Sequence, residues 1–222
     1  MLLTLPGLIS SAQAAELRAQ VERAPLRSGQ DTGSAQLKDN LQGGATDPAL
    51  SAATQVVLQA LSQSVDFNVF ALPKTYNFMF NRYDPGMYYR AHMDQSLMYM
   101  GTPNMMRTDL SFTLFLTEPA AYGGGEFVVE TPFGEKRFKE PAGTLICYPS
   151  DMLHVVEPVT AGSRISAIGW IQSLMPDPKQ REIFNAFESL GHDVLAALPD
   201  AEPYRDRFAR LRDNLLRAWC RL

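Results

Sequence analysis

Cysteine is nearly absent from this chain: Cys147 and Cys220 are the two among 222 residues. They form no C-x-x-C pair, so neither a zinc knuckle nor a dithiol redox motif is written here, and two reduced thiols are expected. Charge of one sign is also lacking. The net charge is −4 and the pI about 5.4. Acidic and basic residues are interspersed, so no basic field favours nucleic acid. No apolar run approaches the roughly 18 residues of a membrane span. The apolar start, Met1 to Ile9, has no basic lead and is interrupted at Pro6-Gly7, which does not fit a signal peptide. A soluble, cytoplasmic protein is expected, without nucleic-acid or membrane partners. Histidine is scarce too, with three in the chain.

What is present is enough for a sizeable core, since 45% of the residues are hydrophobic. Residues 1–74 read as a supporting region: a short strand over 1–9, a helix over 10–24 capped by Ser10 or Ser11, a Gly/Ser/Gln/Asp-rich loop over 27–47 with a strand around Gln36–Leu41, a helix over 48–65, and an apolar connector over 66–73. The texture changes at residue 75. Thr75–Tyr83, Tyr88–Met93, Asp109–Thr117, Glu126–Thr131, Lys136–Phe138, Gly143–Tyr148, His154–Val159 and Ile165–Ser173 read as short strands spaced by turn signals. That pattern over 75–175 predicts an all-β sandwich or barrel. Residues 176–222 return to helical spacing, with one stripe of Ile183, Phe184, Phe187 and Leu190 and another of Phe208, Leu211, Leu215 and Trp219. The second stripe offers a homodimer face or packs on the protein's own barrel. The fold class is therefore mainly β with flanking helices.

One constellation carries chemistry. His92 and Asp94 form a His-x-Asp pair, and alternation puts both on one face of a strand. His154 follows sixty residues on. Two imidazoles and one carboxylate make the facial triad that holds non-haem Fe(II) and leaves coordination positions open. His-x-Asp alone arises often by chance, but two of the chain's three histidines fall in this pattern. The third, His192, reads as a surface or capping residue. Ten residues after His154 stands Arg164, on a strand whose Arg164 and Ser166 share a face. An arginine fork binds a carboxylate with two parallel bonds, and the serine hydroxyl can add a third. The pair suits the far end of a dicarboxylate; the bland alternative is a surface arginine paired with an acid.

At these residues the chain resembles the Fe(II)/2-oxoglutarate-dependent dioxygenases of the prolyl/lysyl hydroxylase type. The stretch Asn81-Arg82-Tyr83-Asp84-Pro85-Gly86-Met87-Tyr88-Tyr89-Arg90-Ala91-His92-Met93-Asp94 is similar to that family's approach to its metal. Arg107-Thr108-Asp109-Leu110-Ser111, Gly123-Gly124-Gly125-Glu126-Phe127, Pro141-Ala142-Gly143, Tyr148-Pro149-Ser150 and Trp170-Ile171-Gln172-Ser173 narrow the resemblance to the bacterial PKHD-type hydroxylases, the group near iron–siderophore uptake genes. The resemblance implies a double-stranded β-helix (jelly-roll) core. It implies His92, Asp94 and His154 as iron ligands and Arg164 as the partner of the 2-oxoglutarate C5 carboxylate. Tyr83 carries over either as a phenol donor to that cosubstrate or as core packing. Of Tyr88 and Tyr89, one can line the pocket. The implied reaction consumes 2-oxoglutarate and dioxygen, hydroxylates an unidentified substrate, and releases succinate and carbon dioxide. L-Ascorbate is implied as the reductant that restores iron.

Three further expectations stand beside these. The Met-rich segment Leu97–Arg107 reads as a loop that either fills the core or forms a substrate lid. A cupin-like metal or 2-oxoglutarate sensor uses the same barrel without turnover. A zinc hydrolase uses the same three ligands but needs a general base, for which Asp151 and Glu126 are the available guesses.

Overall fold

The computed structural model describes residues 1–32, 36–198, 200 and 202–222. The N-terminal part carries β1 (Leu3–Leu5), α1 (Ser11–Arg23), β2 (Arg27–Ser28), β3 (Lys38–Asp39), β4 (Leu41–Gly44), α2 (Ser51–Gln63) and α3 (Val65–Ala71). The strands β5 (Pro73–Tyr83), β6 (Tyr88–His92), β7 (Leu97–Met98), β8 (Met106–Arg107), β9 (Leu110–Phe115) and β10 (Tyr122–Gly124) follow. Next come β11 (Phe127–Thr131), β12 (Gly134–Phe138), β13 (Leu145–Pro149), β14 (His154–Val156), β15 (Val159–Gly162) and β16 (Arg164–Ser173). Two helices, α4 (Pro178–Ala197) and α5 (Glu202–Trp219), close the chain.

Two antiparallel sheets form a jelly roll. The major sheet runs β1-β13-β9-β16-β5-β4-β2, and the minor sheet runs β12-β11-β14-β6-β3. Neighbours within each sheet are distant in sequence, as Greek-key crossovers require. Two short ribbons, β10-β15 and β7-β8, complete the pairing among the described residues.

A strand covered on both sides must serve two interiors, and the major sheet does so by alternation. Along β9, Leu110, Phe112 and Leu114 join an outer core with Leu17, Val21, Val57, Leu61, Phe67 and Phe70 of the N-terminal helices. Phe115 joins the inner core between the sheets, with Tyr83, Phe127, Val129, Ile146 and Tyr148. Each fully buried Leu or Phe contributes roughly 1.5–3 kcal/mol before entropy is charged against it. The same alternation sends Phe78 and Phe80 of β5 to the outer core. It sends Asn77, Met79, Asn81 and Tyr83 to a cavity inside the roll.

The helix start at Ser10 is confirmed as a capping box: Ser10 Oγ accepts from Gln13 N at 3.2 Å and Gln13 Oε1 accepts from Ser10 N at 2.9 Å. Four expectations need correction. The apolar connector over 66–73 is the helix α3, capped by Ser64 and ended by Leu72 in the left-handed region at φ 43°. Phe67, Phe70 and Ala71 are its buried face, a helical spacing too short to stand out. The loop over 27–47 contains three strands rather than one, β3 falling within the expected strand around Gln36–Leu41, and residues 33–35 lie outside the described ones. β2 and β4 extend the major sheet, and β3 extends the minor one. The loop over Leu97–Arg107 is closed by the β7-β8 ribbon, with Leu97 opposite Arg107 and Met98 opposite Met106. The expected apolar stripes of the C-terminal helices are only partly covered. Phe184 is buried, whereas Ile183, Leu190 and Leu211 are exposed. The two stripes meet each other through Phe187 stacked on Phe208 at 4.4 Å, with Phe208 over Gly191. Cys147 is buried, Cys220 partly so, and both are free thiols.

Candidate metal centre and cavity

β6 and β14 are neighbours in the minor sheet, and their register sets His92 opposite His154. The two imidazole centroids are 4.2 Å apart. Asp94 lies two residues beyond the end of β6 rather than within the strand, tied to the roll by its N–H donating to Ser150 O at 3.2 Å. Its Oδ1 is 4.0 Å from His92 Nε2 and 3.9 Å from His154 Nε2. One atom from each of the three residues fits within 4.8 Å of the others.

The outer contacts leave the inner atoms available. His92 Nδ1 meets Arg90 O at 2.7 Å, and His154 Nδ1 meets Met152 O at 2.9 Å. A carbonyl only accepts, so both Nδ1 atoms carry hydrogen and both Nε2 lone pairs point inward. Asp94 Oδ2 accepts from Ser111 Oγ at 2.6 Å, and Ser111 Oγ lies 2.7 Å from Ser150 Oγ. That bond occupies one carboxylate oxygen and leaves Oδ1 free. Burial, then the neighbouring His154, pushes the His92 imidazolium down to about 4. His92 is therefore neutral at physiological pH, as ligation requires.

The three residues open onto a cavity of 440 Å³ inside the roll. At another point of its wall lies Arg164, 1% exposed. Arg164 Nη1 donates to Ser166 Oγ at 3.0 Å. Its Nε and Nη2 have no hydrogen-bond partner, and no carboxylate among the described residues pairs with it. The guanidinium sits 5.5 Å over the Tyr83 ring and 5.3 Å over the Phe115 ring. Gly125 makes room for it. A Cβ there would approach Arg164 Cδ to 3.3 Å, on a backbone at φ +63° that side chains rarely adopt. Leaving a buried charge unpaired costs several kcal/mol, so the arrangement calls for an anion from outside the chain.

All three predicted ligands thus converge, and Arg164 and Tyr83 line the same cavity. Ser166 does not line it; its hydroxyl is engaged by Arg164. Tyr83 is opposite Arg164 in the β5–β16 ladder. Burial raises its phenol to about 12, against the pull of the Arg164 cation. Of the tyrosine pair, Tyr89 faces in and stacks on His92 at 3.6 Å. Strict alternation would have placed Tyr88 on the His92 face. A register shift in the β6–β14 ladder puts two residues of β6, Arg90 and Ala91, against Val155 alone, which moves Tyr89 to that face. Met98 and Tyr99 of the Met-rich segment form part of the wall. Tyr99 stands at φ 56° and its hydroxyl accepts from Asn77 Nδ2 at 2.7 Å. His192 is exposed on α4. Asp151 is exposed and Glu126 is paired with Arg137 at 2.7 Å. Neither lines the cavity, so neither guessed base of the zinc-hydrolase reading reaches the three residues.

Reasoning from sequence missed Ser111, Ser150 and Lys38. Ser111 had a signal: a polar residue inside the fully buried β9, in phase with the inward face. Lys38 had none, because its short strand sits in a loop-like stretch.

A jelly roll carrying a His-Asp-His triad and a buried unpaired arginine is the architecture of an iron oxygenase that takes a dicarboxylate cosubstrate. The sequence model of the 2OG-Fe(II) oxygenase superfamily matches residues 78–172. A PKHD-type hydroxylase of Xanthomonas campestris pv. campestris (strain B100) is 37% identical over 226 residues, covering 99% of each chain. PKHD-type hydroxylase YbiX of Escherichia coli (strain 55989 / EAEC) is 37% identical with the same coverage. A Pseudomonas putida prolyl-4-hydroxylase shares the fold, with a TM-score of 0.56 at 22% identity, over 78% of this chain and 92% of that one. The chain belongs to the PKHD-type hydroxylases, within the 2OG-Fe(II) oxygenases. It is a 2-oxoglutarate-dependent dioxygenase, and Fe(II) and 2-oxoglutarate fit its site. No described helix is long and apolar enough to cross a membrane.

Proposed function

We propose that this protein hydroxylates a substrate C–H bond, with His92, Asp94 and His154 holding Fe(II) and Arg164 holding the C5 carboxylate of 2-oxoglutarate. The observation that carries this is the buried guanidinium with two unpartnered N–H groups in the cavity of the triad. Bound iron and 2-oxoglutarate would supply the oxidising power, placing one oxygen atom of dioxygen in the hydroxyl product and the other in succinate, with carbon dioxide released.

The chain's own work is positioning. Ser166 holds the Arg164 fork, and Tyr83 and Phe115 flank it with ring faces, which favours a cation in a dry site. Tyr83 lines the same cavity and would give its hydroxyl hydrogen to the cosubstrate, since burial keeps the phenol protonated. Ser111 orients Asp94, and the two backbone carbonyls orient the imidazoles. Fixing the cosubstrate at both ends converts an encounter into an aligned reaction, a gain of several kcal/mol. Met98 and Tyr99 belong to a lid that keeps water out. Ascorbate as the iron reductant and a link to iron or siderophore handling rest on the family resemblance.

The test is direct. Protein with Fe(II) and 2-oxoglutarate under argon should show the weak visible charge-transfer band of this chemistry. On admission of air it should form succinate. A protein that gives the band without any succinate is a sensor, and one that gives neither refutes the proposal.

A further inference from the structure

The cavity contains a second buried cation. Lys38 of β3 is 3% exposed and lines the same wall as Tyr89, His92 and Asp94. Its Nζ donates to Thr32 Oγ1 at 2.7 Å. Thr32 passes its own hydrogen on to Gln42 Oε1, 2.8 Å away. The ammonium also lies 5.2 Å from the centroid of the Tyr89 ring, and that ring stacks on His92. Thus the ammonium and a proposed iron ligand share the Tyr89 ring as a neighbour. An ammonium has three hydrogens to give, and one is used by a neutral hydroxyl. No carboxylate among the described residues pairs with Lys38.

Charge balance says what is missing. The charged side chains lining the cavity are Lys38, Arg164 and Asp94, the histidines being ligands. With a divalent ion, the positive charges number four. Asp94 and dianionic 2-oxoglutarate number three. The loaded cavity keeps one positive charge, and Arg164 is already committed to the cosubstrate. A buried charge left without a partner is strongly unfavourable, so the substrate is the natural source of the last negative charge.

We infer that Lys38 is a specificity-determining residue and that the substrate presents a single carboxylate to it, beside the Tyr89 ring that stacks on His92. This rests on the oxygenase reading for the position of the iron, not for the existence of the anion site.

The test uses simple acids and their neutral amides as probes: acetate, butanoate and benzoate against acetamide, butanamide and benzamide. Each is titrated by calorimetry under argon into protein loaded with Fe(II) and 2-oxoglutarate. At least one acid should bind about tenfold or more tighter than its amide, as a charge-assisted bond predicts. Lys38→Met, close to lysine in volume, should bring that ratio to about one. Lys38→Arg should keep a preference for the acid. Affinity for 2-oxoglutarate should stay within about twofold in both variants. Absence of an acid preference in the wild type, or its survival in Lys38→Met, overturns the inference. A tenfold loss of 2-oxoglutarate affinity in Lys38→Met does so too, because Lys38 would then belong to the cosubstrate. Failure of the wild type to bind iron or 2-oxoglutarate counts against the oxygenase reading instead. In that case the acid-to-amide ratio, measured on metal-free wild type and Lys38→Met, still decides the role of Lys38.

Discussion

His92 and His154 face each other across one rung of the β6–β14 ladder, with their rings 4.2 Å apart and both Nδ1 atoms held by backbone carbonyls. The ladder, not a loop, sets their spacing. Two imidazoles on paired strands cannot drift apart without breaking strand hydrogen bonds. His92→Ala should therefore abolish Fe(II) binding by removing a ligand, while leaving the fold intact. Far-UV circular dichroism and equilibrium dialysis with Fe(II) under argon check both halves. Retention of tight iron binding would remove His92 from the ligand set.

Ser111→Ala removes the hydroxyl that orients Asp94 while leaving all three proposed iron ligands in place. Partners of this kind are worth about 10–100-fold in metal affinity. The expected loss lies in that range. A competition titration against a chelator of known strength gives the number, and an unchanged affinity would show that Asp94 is held without Ser111.

Arg164→Met should act in opposite directions on the free and loaded protein. Without ligand, the wild type buries an unpaired guanidinium, and exchanging such a group for an apolar one of similar volume is often neutral or stabilising. The thermal midpoint of the metal-free variant should equal or exceed that of the wild type. Its 2-oxoglutarate affinity should fall by 100-fold or more, a loss of about 3 kcal/mol or more. A variant that is both unstable and unaffected in 2-oxoglutarate binding would make Arg164 a structural residue.

Acid should destabilise the metal-free protein through His92. Its imidazolium is favoured near 6.5 in an unfolded chain and only near 4 when folded, because burial and His154 disfavour the charge. Between those values the unfolded state binds more protons, so stability falls as pH drops from about 6.5 toward 4. The contribution is on the order of 2–3 kcal/mol. Urea midpoints of metal-free wild type and His92→Gln between pH 7 and pH 4 test it. The variant should lose part of the slope, and parallel curves would refute the assignment.

Much of the site was legible in sequence because its parts depend on residue chemistry and short spacing. A scarce residue type recurred in a ligand-like pattern, Arg164 stood on an apolar segment, and the strands from Thr75 to Ser173 declared themselves by alternation and turn residues. The helix α3 was not legible, because seven residues span too few turns for periodicity to register. The exposure of Leu190 and Leu211 was not either, since a helical stripe states which residues share a face, not whether anything covers it.

By itself, the sequence determined a candidate His-Asp-His set, a candidate cation for a dicarboxylate, and a β core between helical segments, for these follow from side-chain chemistry and local periodicity. Tertiary structure decided which residues meet. Strand pairing set His154 beside His92. The β6 irregularity turned Tyr89 rather than Tyr88 onto the His92 ring, since one extra residue reverses the facing of a strand. Alternation within β9 delivered Ser111 to Asp94, and a two-residue strand carried Lys38 into the cavity. Contacts of that kind depend on the register between segments far apart in the chain, which no local pattern encodes.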